Sequence, residues 1–195
     1  METVRARFGS KRLEVAADVV PTVEESVEYY APSMGEEAAR TLFWYPSINL
    51  GVLEGGDAVN SVPQSARAEM DVRLLAGVHT PDVIAGIREC VADCDGITIT
   101  DVSWSVGTAE APDSPLVEAV ASTVEDVTGT RVYRRSATGG GDVKKLRNAG
   151  TPTVEFALGT DTAHASDEYV PVDSLVDNAV VYTRLPAAWQ SQLTQ

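Results

Sequence analysis

Histidine is the side chain best suited to chemistry near neutral pH, and this chain holds two against 29 carboxylates. His164 lies in GTDTAHASDEYVP, residues 159–171, with Asp161, Asp167 and Glu168 close by. A neutral imidazole is the commonest protein ligand for zinc, and an acceptor on its other nitrogen fixes the tautomer. Any of the three carboxylates is near enough in sequence to serve. Catalytic zinc takes about three protein ligands, so His164 alone makes no site, and a solvated loop side chain remains the other reading. His79, in the GVHTP turn, reads as a solvated loop residue.

A second stretch with chemical potential is TGGGD, Thr138 to Asp142, between an expected strand and a helix start. Free backbone N–H groups at such a place can bind an anion. It lacks the Lys-Ser/Thr of a P-loop, so a carboxylate suits it better than a nucleotide; a plain tight turn is the alternative. Cys90 and Cys94 share a helical stripe with Val83, Ile84, Ile87 and Val91. That spacing predicts thiols packed in a core, with no disulfide framework.

These residues need elements to hold them. In SARAEMDVRLL, Ala66, Ala68, Met70, Val72 and Leu74 alternate with charged residues, which predicts a strand with one face on a core. SINLGVLEGG reads as its antiparallel partner through the connector GGDAVNSVPQ. TPDVIAGIRECVAD reads as a helix with Thr80 as N-cap and Pro81 at its first position, and GITITDVSW as a β-branched strand. ETVRARFGS can form a further strand, followed by helical VEESVEYY and GEEAARTL broken at APSMG by Pro32 and Gly35. The order predicts an α+β chain that opens with a ferredoxin-like split βαβ layer over residues 1–108.

Residues 109–195 read as a second, α/β part. SPLVEAVASTVEDVTG is a helix capped by Ser114 and ended by Gly129. RVYRRSAT and TPTVEFAL are strands, GGGDVKKLRNAG is a turn into a helix, and VDSLVDNAVVYTRLPAAW is a final helix.

Composition narrows the class. A chain with 44% apolar, 23% charged and 6% aromatic residues is globular. The formal charge of -14, from 15 basic and 29 acidic residues, disfavours nucleic acid and anionic lipid as partners. METVRARFGS has no apolar run of the signal-peptide kind, so a cytoplasmic location is expected.

Four stretches then fall into a familiar order: LGVLEGGDAVNSVPQSARAEMDVRLL, PDSPLVEAV, TGGGDVKKLRNAGTPTVEFALG and AHASDEYVPVDSL. Together, from about Ile48 to Ala188, they resemble the two-zinc aminoacylase, carboxypeptidase G and acetylornithine deacetylase/succinyl-diaminopimelate desuccinylase family. The resemblance implies a ferredoxin-like lid that forms a homodimer, followed by the C-terminal part of an α/β zinc-hydrolase domain. It implies hydrolysis of N-acyl amino acids or dipeptide-like amides with two zinc ions and a Glu as general base. By it His164 is a zinc ligand and Glu168 the acidic residue behind it. Gly139, Gly140, Gly141 and Asp142 line the substrate pocket, while Asn60 and Arg73 reach a small carboxylate-bearing substrate from the lid. An Arg fork suits a carboxylate, although an ion pair with Glu69 or Asp71 would equally explain Arg73.

The family's His-x-Asp motif, bridging Asp and Glu-Glu pair are expected upstream of the lid, where this chain begins. Glu24-Glu25 and Glu36-Glu37 read instead as solvated helix charges, and Lys11 and Arg12 stand where the lid histidine is expected. The chain is therefore expected to supply one zinc ligand and to be inactive alone, either completed by a separate N-terminal catalytic chain or kept as a non-catalytic dimerising module.

Dispersed acidity of this degree also predicts a salt-tolerant, halophilic surface. Self-repulsion is screened within about 3 Å at 1 M salt, so the thermal midpoint is expected to rise between 0.1 M and 2 M salt. A midpoint that falls over that range would contradict this.

Overall fold

The computed structural model describes residues 6, 8–137, 139–160 and 162–194. They form a mixed helix and strand structure in two compact units: Met1–Gly107 with Ser136–Gly140, and Thr108–Arg135 with Gly141–Gln195.

In the first unit, α1 (Val20–Met34) and α2 (Glu36–Trp44) pack on each other. Val23, Ser26 and Val27 recur at helical spacing and are buried, which sets the inward face of α1. Helix α1 runs through Pro32 and stops at Gly35, so only one of the two expected breakers acts. Pro32 lies inside the helix, whose other bonds carry the chain past the one N–H that it lacks. Gly35, at φ 89°, takes a backbone angle that a side chain resists. Arg40 then ties the two helices, reaching Glu36 at 3.1 Å and Glu24 at 3.4 Å. Those carboxylates, Glu36 foremost, raise its pKa further.

Strands β1 (Ser47–Gly55) and β2 (Ala66–Arg73) form the expected antiparallel pair. Ile48 faces Val72 and Leu50 faces Met70; then a bulge at Gly51 shifts the register so that Leu53 faces Ala68. The extra residue keeps Leu53 on the face of Ile48 and Leu50, which strict alternation would have lost. Ile48 and Met70 pack on the core, whereas Leu53, Val59 and Val62 beyond the bulge are exposed.

Helix α3 (Thr80–Ala92) starts one residue earlier than expected, with His79 rather than Thr80 as N-cap. Cys90 packs against the core, and the Cys94 thiol donates to the Cys90 carbonyl. Both thiols are free and half-buried. The core of this unit comprises Phe8, Leu13, Val23, Val27, Ala39, Phe43, Trp44, Leu75, Val78 and Val83.

Two expected strands are corrected here. Ala6 and Phe8 are helical, the rest of ETVRARF lying outside the described residues, and GITITDVSW belongs to no strand. Among the described residues the sheet has two strands. β-branched residues favour a pleated surface, but a strand also needs a neighbouring ladder for its N–H and C=O groups. For Phe8 the determinant is tertiary: its ring fills the space over Gly86 on α3, where an added Cβ would come within 2.6 Å of Cε2.

In the second unit, α4 (Pro115–Thr128), α5 (Val143–Asn148) and α6 (Val172–Gln192) are the regular elements. Ser114 accepts the Val117 N–H at 3.3 Å and Gly129 closes α4 in the left-handed region at φ 66°, both as the sequence predicts, and Pro115 opens the helix. Val120, Val124 and Val181 form the core between α4 and α6. RVYRRSAT and TPTVEFAL are not strands in their described residues, yet Val132, Val154, Phe156 and Leu158 pack on that core.

Side chains take the place of a ladder along these stretches. Glu125 accepts the Val132 N–H at 3.0 Å, Glu110 accepts the Thr153 N–H at 3.2 Å, and Tyr182 donates to the Phe156 carbonyl at 2.8 Å. The Asn178 amide both accepts from the Leu158 N–H at 2.9 Å and donates to its carbonyl at 2.8 Å. Each bond satisfies a backbone group that a strand partner would otherwise take.

The fit of Phe8 on Gly86 gives a test of sign. Helix propensity alone makes Gly86→Ala stabilising by about 1 kcal/mol; overpacking costs about 1–3 kcal/mol. The clash is expected to win, with a lower denaturation midpoint for Gly86→Ala; a higher midpoint would show that Phe8 yields freely.

Candidate functional site

The loop that carries His164 is built from its base. Thr160 Oγ1 donates to the Tyr169 carbonyl at 2.7 Å, and the Tyr169 N–H donates to Thr162 Oγ1 at 3.2 Å. These bonds close residues 160–169 into one compact loop directly ahead of α6. At its tip His164 has φ 66°, the one positive φ outside glycine among the described residues. Its backbone N–H donates to Glu168 Oε2 at 3.1 Å, and the Ala165 N–H donates to the Thr162 carbonyl at 2.9 Å.

Glu168 therefore acts on the backbone of His164 and not on its ring. The His164 side chain is exposed, and left-handed backbone at a residue with a Cβ costs free energy that the surrounding bonds must offset. Asp161 lies outside the described residues, and Asp167 is exposed. Among the described residues no three or more His, Cys, Asp or Glu side chains gather as a metal site. A metal thus does not fit this chain's described donors alone: His164 offers one position.

The Gly-rich turn divides in two. Gly139 and Gly140 belong to the first unit and have open space where a side chain would be, whereas Gly141 and Asp142 belong to the second. A Cβ on Gly141 would meet Glu155 Oε1, so the bare backbone there seats a carboxylate. Asp142 is held by Lys145 Nζ at 2.8 Å and makes no side-chain cap on α5. A carboxylate guest, the occupant expected from the sequence, would meet Glu155 at this turn.

On the hairpin, Asn60 is exposed in the connector, while Arg73 pairs with Ser47 at the far end of the ladder. That end lies about 24 Å along the strand from Ala66, at ~3.4 Å per residue. Arg73 Nε binds Asp71 Oδ2 at 2.8 Å, the ion-pair reading. Glu24 and Glu36 are likewise surface charges on Arg40. His79 Nδ1 lies 2.9 Å from Asp82 and is exposed.

Residues that carry no motif but shape these stretches are Asn178 and the Thr160/Thr162 pair at the His164 loop and Glu155 at the Gly-rich turn. Asn178 alone left a trace: a polar residue in the inward stripe Ser174, Asn178, Val181, Leu185.

With this geometry in view, the likenesses of the chain can be placed. Its fold resembles an M20 family metallo-carboxypeptidase of Sulfolobus solfataricus, with a TM-score of 0.63 at 17% identity over 90% of this chain and 46% of that one. Residues 11–188 match the model of Peptidase family M20/M25/M40, and the chain belongs to that family. It is 37% identical over 139 residues to the succinyl-diaminopimelate desuccinylase of Magnetococcus marinus, covering 69% of this chain and 35% of the relative. The desuccinylase of a Caulobacter species is 33% identical over 135 residues, 67% of this chain and 35% of the relative. The chain therefore spans about a third of the length of these curated relatives. Among the described residues no helix is long and apolar enough to cross a membrane.

The His164 backbone makes its own prediction. Left-handed geometry costs roughly 1–2 kcal/mol at a residue with a Cβ, and glycine gives back about 0.4–1 kcal/mol through the unfolded chain. His164→Gly is expected to stabilise the protein by about 0.5–1 kcal/mol in denaturant titration. A loss of stability would mean that the imidazole holds the loop.

Proposed function

We propose that this chain is the C-terminal part of a zinc-dependent amidohydrolase. In this reading it contributes to cleaving N-acyl amino acids or dipeptide-like amides, of deacetylase or desuccinylase type. The family membership and the desuccinylase relatives support that class. The observation that carries the site assignment is His164, presented at the tip of a closed loop in costly left-handed backbone held by Glu168. Backbone of this kind concentrates at functional sites.

In this proposal His164 supplies one ligand to a two-zinc site whose other donors lie outside these 195 residues. Bound zinc would supply Lewis-acid activation of the amide. This chain's share is to hold the imidazole and to receive the substrate. The first unit is the lid, with Asn60 and Arg73 toward the substrate carboxylate. To bind it Arg73 must exchange Asp71 for the incoming group, as a planar guanidinium can. The exposed apolar hairpin residues Leu53, Val59 and Val62 support a homodimer through the lid.

A second reading is a non-catalytic dimerising or binding module derived from the same family, in keeping with described residues among which no three or more metal-donor side chains gather.

The purified 195-residue chain, supplied with zinc, is expected not to hydrolyse N-succinyl or N-acetyl amino acids above the uncatalysed rate. Turnover that rises with enzyme and vanishes in His164→Ala would overturn the claim that the site is completed from elsewhere.

A further inference from the structure

Cys90 and Cys94, the two cysteines of the chain, stand outside everything assigned above. They lie four residues apart at the end of α3, and both are free and half-buried. Cys90 packs against the core of the first unit, as do Ile87 and Val91, whereas Cys94 does not belong to that core. Burial of an apolar side chain therefore accounts for one thiol and leaves the other without a packing role.

The backbone turns Cys94 back toward Cys90. Cys94 follows the C-cap Asp93, its N–H donates to the Val91 carbonyl at 2.9 Å, and its thiol donates to the Cys90 carbonyl at 3.6 Å. The coil thus continues as far as Cys94 and lays its sulfur over the turn that carries Cys90. Residues four apart on a helix have Cβ atoms ~5–6 Å apart, wider than the ~3.5–4.5 Å that a disulfide requires. One atom seated between the two sulfurs makes up the difference.

Charge and ligand number decide which atom. Glu89, Asp93 and Asp95 flank the pair in sequence, and the C-terminal end of a helix carries partial negative charge. Monovalent copper on two thiolates would add a net negative charge in that setting, and zinc takes about four ligands where the pair offers two. Trivalent arsenic bonds two thiols and leaves no charge.

We infer that Cys90 and Cys94 form a dithiol site for a trivalent arsenoxide, R–As=O. Both S–H bonds and the As=O bond break, two As–S bonds form, and the oxygen leaves as water with the two protons. Arsenic stays trivalent, so no oxidant or reductant takes part. The half-exposure of both sulfurs admits the reagent, and the site shares no residue with the His164 loop.

The test treats the reduced 195-residue chain with one equivalent of phenylarsine oxide. The two free thiols per chain should fall to none, and the intact mass should rise by one arsenical less one water. Cys94→Ser, outside the core, should keep the fold and bind at least about a hundredfold more weakly, because the second As–S bond is then no longer intramolecular. Cys90→Ser should weaken binding alike, and His79→Ala, at the other end of α3, should bind as the parent chain does. Because the folded helix presents the pair, the adduct should also raise the thermal midpoint. Separate adducts on each thiol, one arsenic bridging two chains, unchanged affinity in Cys94→Ser, or a midpoint that fails to rise would each overturn the inference.

Discussion

The two hydrogen bonds between the Asn178 amide and the backbone of Leu158 hold the second unit in register. They pin the end of an apolar stretch that has no strand partner onto α6, so that Val154, Phe156 and Leu158 reach the core of Val120, Val124 and Val181. The loop bearing His164 starts at once after Leu158 and returns at once into α6, so both its ends are fixed through the same helix. Within that frame Thr160, Thr162 and Glu168 need only short local bonds to impose the left-handed turn at His164. An amide withdrawn in part from water is better placed with both donor and acceptor met than with either left unsatisfied.

What could be read from the sequence was whatever is decided locally. Ser114 and Gly129 announce α4 by capping chemistry alone, and the alternation from Ala66 to Leu74 announces β2. Three β-branched stretches misled because strand formation is a property of neighbours. In the second unit the backbone groups of two of them are met by Glu110, Glu125, Asn178 and Tyr182, at sequence separations from 7 to 43 residues. No local pattern announces such partners. Phe8 is the same lesson at a single residue: its helical setting depends on a glycine 78 positions later that leaves space for the ring.

The candidate site was legible in part. The loop of His164 stood out by position and residue type, and its left-handed backbone adds a physical reason to single it out. Glu168 is close by, but it holds the main chain rather than the ring, a distinction that residue types do not encode. The Gly-rich turn is an acidic setting because Glu155 folds against Gly141, which spacing could not reveal. Arg73 already has a partner in Asp71. Of the described residues assigned to the site in the His164 loop, His164 alone keeps a side chain with no partner of its own, and the proposed reading rests on it.

Zinc stoichiometry addresses that account most directly. The account predicts that metal analysis after dialysis finds well under one zinc per 195-residue chain alone. It predicts close to two per complex once the complementary M20 segment is bound, falling when His164 is replaced by Ala. Stoichiometric zinc on the isolated chain, or full zinc content in the complex without His164, would contradict it.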